Sequence, residues 1–159
     1  YEASQLLHGN LGLCLQAYLH RTPEDLERLI PLGGHIRLCK GAYVEPANIA
    51  FQSDDDVDAA FARLVERLMG ADEIKPAIAT HDGRLIDLAL KLAARRRGPW
   101  EIQMLYGVRS GLQTELVDTG NPVRIYVPFG SEWYAYLTRR LAERPANLTF
   151  FARALVGRR

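Results

Sequence analysis

Short apolar runs of strand length alternate with helical segments along most of this 159-residue chain. Five such runs predict β-strands, and helical spacing of apolar residues predicts the segments between them. The predicted strands cover residues 11–19, 36–40, 75–80, 100–105 and 123–127. Strict alternation of this kind predicts a parallel sheet whose strands are joined by helical crossovers.

Two architectures fit this alternation: an open doubly wound sheet and a portion of a (βα)8 barrel. No Gly-x-Gly-x-x-Gly sequence follows any predicted strand, which weakens the case for a dinucleotide-binding doubly wound fold. A complete barrel takes about 250 residues. We therefore expect an α/β fold in which residues 1–159 form a single domain, the C-terminal portion of a (βα)8 TIM-type barrel with five βα units.

Composition argues against several classes of protein. The chain is 48% hydrophobic and 25% charged, which suits a globular unit with a core, and its net charge of +1 argues against a dedicated nucleic-acid binder. No apolar stretch approaches the ~20 residues needed to span a bilayer. The four histidines share no metal-ligand spacing, so no metal is expected. Cys14 and Cys39 lie in apolar runs; a disulfide between them stays open on the sequence, but buried free thiols in a reducing cytosol are favoured.

The stretch Ile36 to Tyr43 combines a strand with two cations and a glycine-opened loop. Arg37 and Lys40 either reach solvent from an edge strand or meet a buried partner, because an unpaired buried charge is costly. Gly41 and the following alanine would let the backbone approach a flat ligand closely.

All five predicted strands carry polar side chains at or near their carboxyl ends. These side chains are Gln16; Arg37 and Lys40; Thr80, His81 and Asp82; Gln103; and Arg124 and Tyr126. Ligands bind beyond the carboxyl ends of the strands in barrels and in open α/β sheets alike. A polar residue at the end of any one strand is ordinary, but the repetition over five strands favours a ligand site.

Three helical features are also predicted. Thr22 is expected to be an N-cap with its side-chain oxygen accepting from the first turn. Three consecutive arginines, Arg95, Arg96 and Arg97, are expected to lie in water at a helix C-terminus. A final helical region over residues 132–155 carries a polar stripe, interpreted either as a solvated face or as paired guanidiniums that hold a carboxylate.

Six motifs in this chain resemble those of flavin-dependent proline dehydrogenases, over residues 12 to about 147. The motifs are Leu15-Gln16-Ala17-Tyr18-Leu19, Arg37-Leu38-Cys39-Lys40-Gly41-Ala42-Tyr43, Ala79-Thr80-His81-Asp82, Gln103-Met104-Leu105-Tyr106-Gly107, Tyr126-Val127-Pro128-Phe129-Gly130 and Arg139-Arg140-Leu141-Ala142-Glu143. The resemblance implies a distorted (βα)8 barrel that holds FAD and oxidises L-proline to 1-pyrroline-5-carboxylate. Electrons would then pass to a membrane quinone.

The resemblance also implies residue roles at the cofactor. Gln16 would hydrogen-bond the isoalloxazine ring, and Arg37 would lie against its reactive nitrogen and stabilise the anionic reduced ring. Thr80 and His81 would hold the pyrophosphate and adenosine portion. The implied set of cofactor-binding residues is completed by Lys40, Gly41, Ala42 and Gln103.

For the substrate, the resemblance implies that Tyr126 and Tyr136 enclose the proline ring. Arg139 and Arg140 would clamp the proline carboxylate, and Glu143 would orient that clamp.

Two departures from the family pattern accompany these implications. The family's barrel begins before residue 1 of this sequence, so the chain alone is expected to be an inactive, open half-barrel. Cys39 stands where the family commonly has Val, a small apolar exchange. The resemblance further implies a cytoplasmic protein, with peripheral association with the inner face of the membrane as a further option.

Two alternatives to a flavin enzyme remain open on the sequence. One is a Schiff-base barrel lyase in which Lys40, at a strand end, is the nucleophile. The other is a non-catalytic half-barrel that depends on a partner.

Overall fold

The computed structural model describes residues 1–130, in which helices and strands follow the predicted alternation. The elements are α1 Glu2–His8, β1 Gly12–Gln16, α2 Thr22–Leu29, β2 Gly34–Cys39, α3 Asp54–Met69, β3 Ile74–Ala79, α4 Gly83–Ala93, β4 Glu101–Leu105, α5 Ser110–Asp118 and β5 Val123–Tyr126. A 3₁₀ turn, Ile30–Leu32, follows α2. The helical region predicted over residues 132–155 lies outside the described residues.

The five strands form one sheet in chain order, β1-β2-β3-β4-β5. The β1–β2 and β2–β3 pairs are parallel. In this register Cys14 is aligned with Arg37, Gln16 with Cys39, and Arg37 with Ala77. The predicted α/β fold with parallel strands is therefore confirmed.

The chain divides into two compact units, the first formed by residues 1–41 and 45–102. The core of the first unit lies between one face of the sheet and its helices. Ile36 and Leu38 of β2 are fully buried there, because alternate residues of a strand point to the same face. The helices contribute apolar side chains to the same cluster, including Leu26, Ile30, Phe61, Leu64, Val65, Leu68, Leu85 and Ala89.

The second unit comprises residues 42–44 and 103–159, of which the structure describes those up to 130. Its β4 and β5 segments are joined at their ends, where the Tyr106 amide donates to the Tyr126 carbonyl at 2.9 Å. Helix α5 is attached to the end of β4 by Gln113, whose side-chain amide donates to the carbonyls of Leu105 and Val108, each at 2.8 Å.

The prediction that Thr22 caps α2 is wrong. Thr22 is the first residue of α2, and Arg21 occupies the N-cap position without a side-chain cap. The Thr22 hydroxyl is buried and donates instead to the Gln16 carbonyl at 2.6 Å. The hydroxyl therefore satisfies a carbonyl at the end of β1, where the chain leaves the sheet.

The prediction that three arginines lie in water is wrong for Arg96. Its guanidinium donates to the carbonyls of Leu68, Met69, Ala71 and Ile74 at 2.5–3.2 Å. The last carbonyls of a helix have no partner within the helix, so Arg96 caps the C-terminus of α3 from a distant segment. Burial lowers the pKa of Arg96, which agrees with the partial burial of its side chain.

Arg96→Ala is expected to lower the free energy of unfolding by about 1.5–3 kcal/mol, because a charge-assisted network of hydrogen bonds is lost. Arg95 is exposed and serves as the matched control, so Arg95→Ala should change the free energy of unfolding by less than about 0.5 kcal/mol. Urea denaturation of both variants measures the difference. Equal effects of the two substitutions would contradict the capping role.

Candidate functional site

The face of β1 and β2 opposite the core carries the polar residues singled out in the sequence. Cys14, Gln16, Arg37 and Cys39 share this face, since the register aligns them and strand residues alternate. The Cys14 and Cys39 sulfurs, 3.7 Å apart, lie side by side on it. The prediction of buried thiols is wrong for Cys14, which is exposed because it points away from the helix-covered core, and Cys39 is only partly buried. We call this surface the open face of the first unit.

Arg37 contributes a buried donor to the open face. Its Nε is buried, and the described residues supply no hydrogen-bond acceptor for it. A buried polar nitrogen without an acceptor is costly, and in native proteins such groups usually have a partner. The open face therefore presents a positive charge and an unused N–H to a ligand that brings an acceptor.

Gln16 ends β1 beside Arg37 and is fixed there by backbone contacts. Strand pairing continues past it, since the Ala17 amide donates to the Cys39 carbonyl at 2.8 Å and the Tyr18 amide to the Lys40 carbonyl at 2.9 Å. The Gln16 carbonyl accepts a hydrogen bond from the Thr22 hydroxyl. These bonds hold the ends of β1 and β2 together at the carboxyl edge of the sheet.

Gly41 follows this edge in a backbone conformation with φ +114°. A Cβ at this position would overlap the ring of the buried Tyr18. The flat group that the backbone approaches in the described residues is therefore an aromatic side chain of the protein itself. Close approach of Gly41 to a cofactor stays a prediction.

Lys40 lies at the centre of a four-residue charge network. Its ammonium forms ion pairs with Asp58 of α3 and, at 3.3 Å, with Asp82. Arg84, in the first turn of α4, pairs with the same two carboxylates at 3.0 and 3.2 Å. Two cations and two anions thus balance, and they connect the segments that follow β2 and β3 with two helices.

The network defines the electrostatics of this edge. Burial by itself would raise the pKa of Asp82, but the hydrogen bond from Arg84 and the charge of Lys40 outweigh burial and lower it. A Schiff-base lysine must present a neutral amine. Because two carboxylates engage the Lys40 ammonium, the network argues against the lyase alternative.

Asp58 and Arg84 were missed by the sequence reasoning. Asp58 lies on the polar side of an amphipathic helix, and Arg84 is 26 residues away from it along the chain. No local spacing or periodicity connects the two. The only signal was the need of Lys40, a cation at a strand end, for a carboxylate partner.

Thr80 and His81 follow β3 at the start of α4. Thr80 is buried, and its hydroxyl accepts from the Asp82 amide at 3.1 Å. Asp82 is the N-cap of α4 and accepts from the Arg84 amide at 3.0 Å. These bonds fix the backbone around His81, which is partly exposed.

The first unit thus brings six predicted residues to the carboxyl ends of three adjacent strands: Gln16, Arg37, Lys40, Gly41, Thr80 and His81. Ala42, Gln103 and Tyr126 belong to the second unit. There Gln103 is partly buried within β4, and Tyr126 is the exposed last residue of β5. The remaining predicted site residues, Tyr136, Arg139, Arg140 and Glu143, lie outside the described residues.

Comparisons with known proteins all relate this chain to one family. The proline dehydrogenase family model matches residues 2–153. The chain is 43% identical over 146 residues to proline dehydrogenase 2 of Bacillus subtilis (strain 168), covering 90% of this chain and 48% of that protein. It is 40% identical over 150 residues to proline dehydrogenase of Deinococcus radiodurans, covering 92% and 48%. The chain therefore spans about half the length of these curated relatives.

Solved structures agree with this relationship. Proline utilization A from Bdellovibrio bacteriovorus, inactivated by N-propargylglycine, is 28% identical with a TM-score of 0.74, covering 82% of this chain and 16% of that chain. Proline utilization A from Corynebacterium freiburgense shares the fold with a TM-score of 0.75 at 22% identity, covering 99% and 20%. From the family match and the sequence identities, the chain belongs to the proline dehydrogenase family.

Proposed function

We propose that this protein is an oxidoreductase of proline catabolism that oxidises L-proline to 1-pyrroline-5-carboxylate with FAD as cofactor. The observation that carries the proposal is the partly buried Arg37 side chain on the open face beside Gln16, whose buried Nε has no acceptor among the described residues. Family membership supplies the reaction class, and the open face supplies groups suited to a flavin.

The proposal includes a barrel architecture, with residues 1–159 as one domain in the C-terminal part of a (βα)8 barrel. Strand order supports it, because the strands neighbour one another in chain order. Doubly wound sheets instead reverse their strand order at a switch point, as in 3-2-1-4-5-6. An eight-stranded barrel would place the open face inside and the helices outside.

The residues of the open face fit a flavin. Arg37 offers a charged donor and Gln16 an amide. The side chains around them are small, namely Cys14, Cys39 and Ala77, so a flat ring can lie close to the sheet. Thr80 and His81 would hold the pyrophosphate and adenosine portion beside the start of α4, and Lys40, Gly41, Ala42 and Gln103 complete the proposed cofactor set.

FAD, when bound, supplies the hydride acceptor, so the protein contributes orientation and electrostatics. Arg37 stabilises the negative charge that develops as proline is oxidised. Asp58 and Asp82 hold the Lys40 ammonium in place, and Arg84 neutralises their remaining charge. The network keeps net negative charge away from this end of the site.

The proposed substrate site involves the end of β5 and the segment that follows. Tyr126 and Tyr136 enclose the proline ring, while Arg139 and Arg140 bind its carboxylate. Two guanidiniums match a carboxylate because their N–H groups are arranged in a fixed fork. Glu143 orients the pair.

The proposed electron acceptor is a membrane quinone, reached by peripheral association of a cytoplasmic protein with the inner face of the membrane. Among residues 1–130, no helix combines the length and apolar character needed to cross a bilayer. Quinone reduction by proline in the presence of lipid vesicles tests the acceptor.

The full-length protein that contains this chain is expected to carry FAD, visible in its absorbance spectrum, and to bleach when L-proline is added without oxygen. D-Proline at the same concentration is the control, because with its carboxylate in the same clamp its Cα hydrogen points to the opposite side of the ring. Mass analysis of the product should give 1-pyrroline-5-carboxylate. A folded protein that cannot be reconstituted with FAD would overturn the proposal.

Arg37→Met is expected to make the flavin harder to reduce by about 30–60 mV, since about 1.4 kcal/mol corresponds to 30 mV for a two-electron couple. Turnover should fall, while thermal melting should show a folded protein. Arg63, an exposed cation on α3, provides the control substitution Arg63→Met, which removes the same charge elsewhere. An unchanged potential in Arg37→Met would return Arg37 to a structural role.

Arg139→Ala and Arg140→Ala are each expected to remove a charge-assisted hydrogen bond worth ~1.5–3 kcal/mol. The Michaelis constant for proline should therefore rise by roughly 10- to 100-fold. Ring carboxylates that compete with proline should weaken in parallel, and Glu143→Ala should reproduce part of the effect. If both arginines lie on a solvated face, proline saturation stays unchanged and stability falls by under ~1 kcal/mol.

A further inference from the structure

One residue, Tyr18, is bonded to both ends of the segment that joins β2 to α3. Its amide donates to the Lys40 carbonyl at 2.9 Å, and its carbonyl accepts from the Phe51 amide at 2.8 Å. We call residues 40–51 the β2–α3 loop. Tyr18 follows β1, so the chain leaving the neighbouring strand brings the two ends of this loop together.

The side chain of Tyr18 packs against the same two ends. Tyr18 is 4% exposed and forms a small buried cluster with Ala50, at the end of the loop, and with Val57 of α3. At the start of the loop, its ring occupies the space into which a Cβ on Gly41 would point. The ring therefore supports Gly41 from one side and is itself packed against α3.

Other contacts hold the far part of the loop. The Pro46 carbonyl accepts from the Ile49 amide at 2.9 Å. His20 donates from its amide to the Ile49 carbonyl at 3.0 Å and from Nε2 to the Ala47 carbonyl at 2.9 Å. Because these bonds do not involve the Tyr18 ring, we expect the effect of the ring to fall on the start of the loop.

We propose that Tyr18 is a positioning residue of the cofactor site, whose ring fixes the backbone of Gly41. Under the proposed function, on which this role rests, Lys40, Gly41 and Ala42 belong to the cofactor set. Gly41 has φ +114°, and glycine loses more conformational freedom on ordering than any other residue. A ring that already orders Gly41 in the folded protein lowers the entropy lost when the cofactor binds, and so strengthens binding.

Tyr18→Ala removes the ring, whereas Tyr18→Phe retains it. In the full-length protein that contains this chain, Tyr18→Ala is expected to weaken FAD binding by roughly tenfold, equivalent to about 1.4 kcal/mol, and Tyr18→Phe to stay within about twofold of wild type. Titration of the folded apoprotein with FAD, followed by flavin fluorescence, measures the affinity. Equal weakening by both substitutions would assign the effect to the hydroxyl and contradict the role of the ring.

Loss of a buried ring also lowers stability, so two controls accompany Tyr18→Ala. Ile74→Ala removes a buried side chain at the amino end of β3, the opposite end of the sheet. His20→Ala removes the side-chain support of the far part of the loop. Both are expected to leave FAD affinity within about twofold of wild type, because neither removes the support of Gly41. If either control weakens FAD binding as much as Tyr18→Ala, the proposal is wrong.

A double-mutant cycle isolates the contact between Tyr18 and Gly41. Gly41→Ala places a methyl group against the Tyr18 ring and also strains the backbone at φ +114°. The strain is the same in both backgrounds, so combining Gly41→Ala with Tyr18→Ala leaves the contact as the difference. Gly41→Ala should lower FAD affinity less in the Tyr18→Ala background than in wild type. Strictly additive effects would overturn the proposal.

Binding by the wild-type protein distinguishes the possible failures. If the wild type binds no FAD, the proposed function fails and the positioning role fails with it. If the wild type binds FAD and Tyr18→Ala, folded by circular dichroism, binds it equally well, the positioning role alone is wrong. Where Tyr18→Ala does not fold, Tyr18→Val, which retains part of the buried side chain, replaces it in these comparisons.

Discussion

The alternation of side chains along β2 is the constraint on which the first unit depends. Ile36 and Leu38 point to the helices and are fully buried, while Arg37 and Cys39 point to the other face. A shift of register by one residue would place a guanidinium in the apolar core and move two large apolar side chains to the open face. The burial that stabilises the sheet therefore also fixes which residues can meet a ligand.

The connections at the carboxyl edge explain why this surface is held so firmly. Thr22 closes the end of β1, the Lys40 network joins the segments after β2 and β3, and Asp82 caps α4. Each connection uses a polar group near the site to satisfy another polar group of the protein. Because those groups are already paired within the protein, they fix the positions of the site residues more than they add to ligand affinity. Among the described residues, the buried Nε of Arg37 is left for a ligand.

Much of the fold could be predicted because strand and helix signals are local. The apolar run around Leu38 and the helical spacing of Val57, Phe61 and Leu64 each specify an element from neighbouring residues alone. The errors at Thr22 and Arg96 share a different cause, since both side chains bind carbonyls of other elements. A local rule for helix ends cannot contain that information, because the partner is set by tertiary packing.

The residues of the candidate site likewise divide into those with a local sequence signal and those whose position is set by tertiary packing. Position toward a strand's carboxyl end identified Gln16 and Arg37, because the carboxyl ends of parallel strands all lie at one edge of the sheet. Asp58 had no such signal, although Lys40 required an anion and four acidic residues lie within the first turns of α3. Of the four aspartates from 54 to 58, Asp58 is the partly buried one and pairs with Lys40 at the sheet edge, whereas Asp56 is bonded to Ser53 at the helix N-terminus. Asp54 lies four residues earlier and so on the same side of α3, and helix phase alone therefore could not select Asp58 before the packing of α3 against the sheet edge was known.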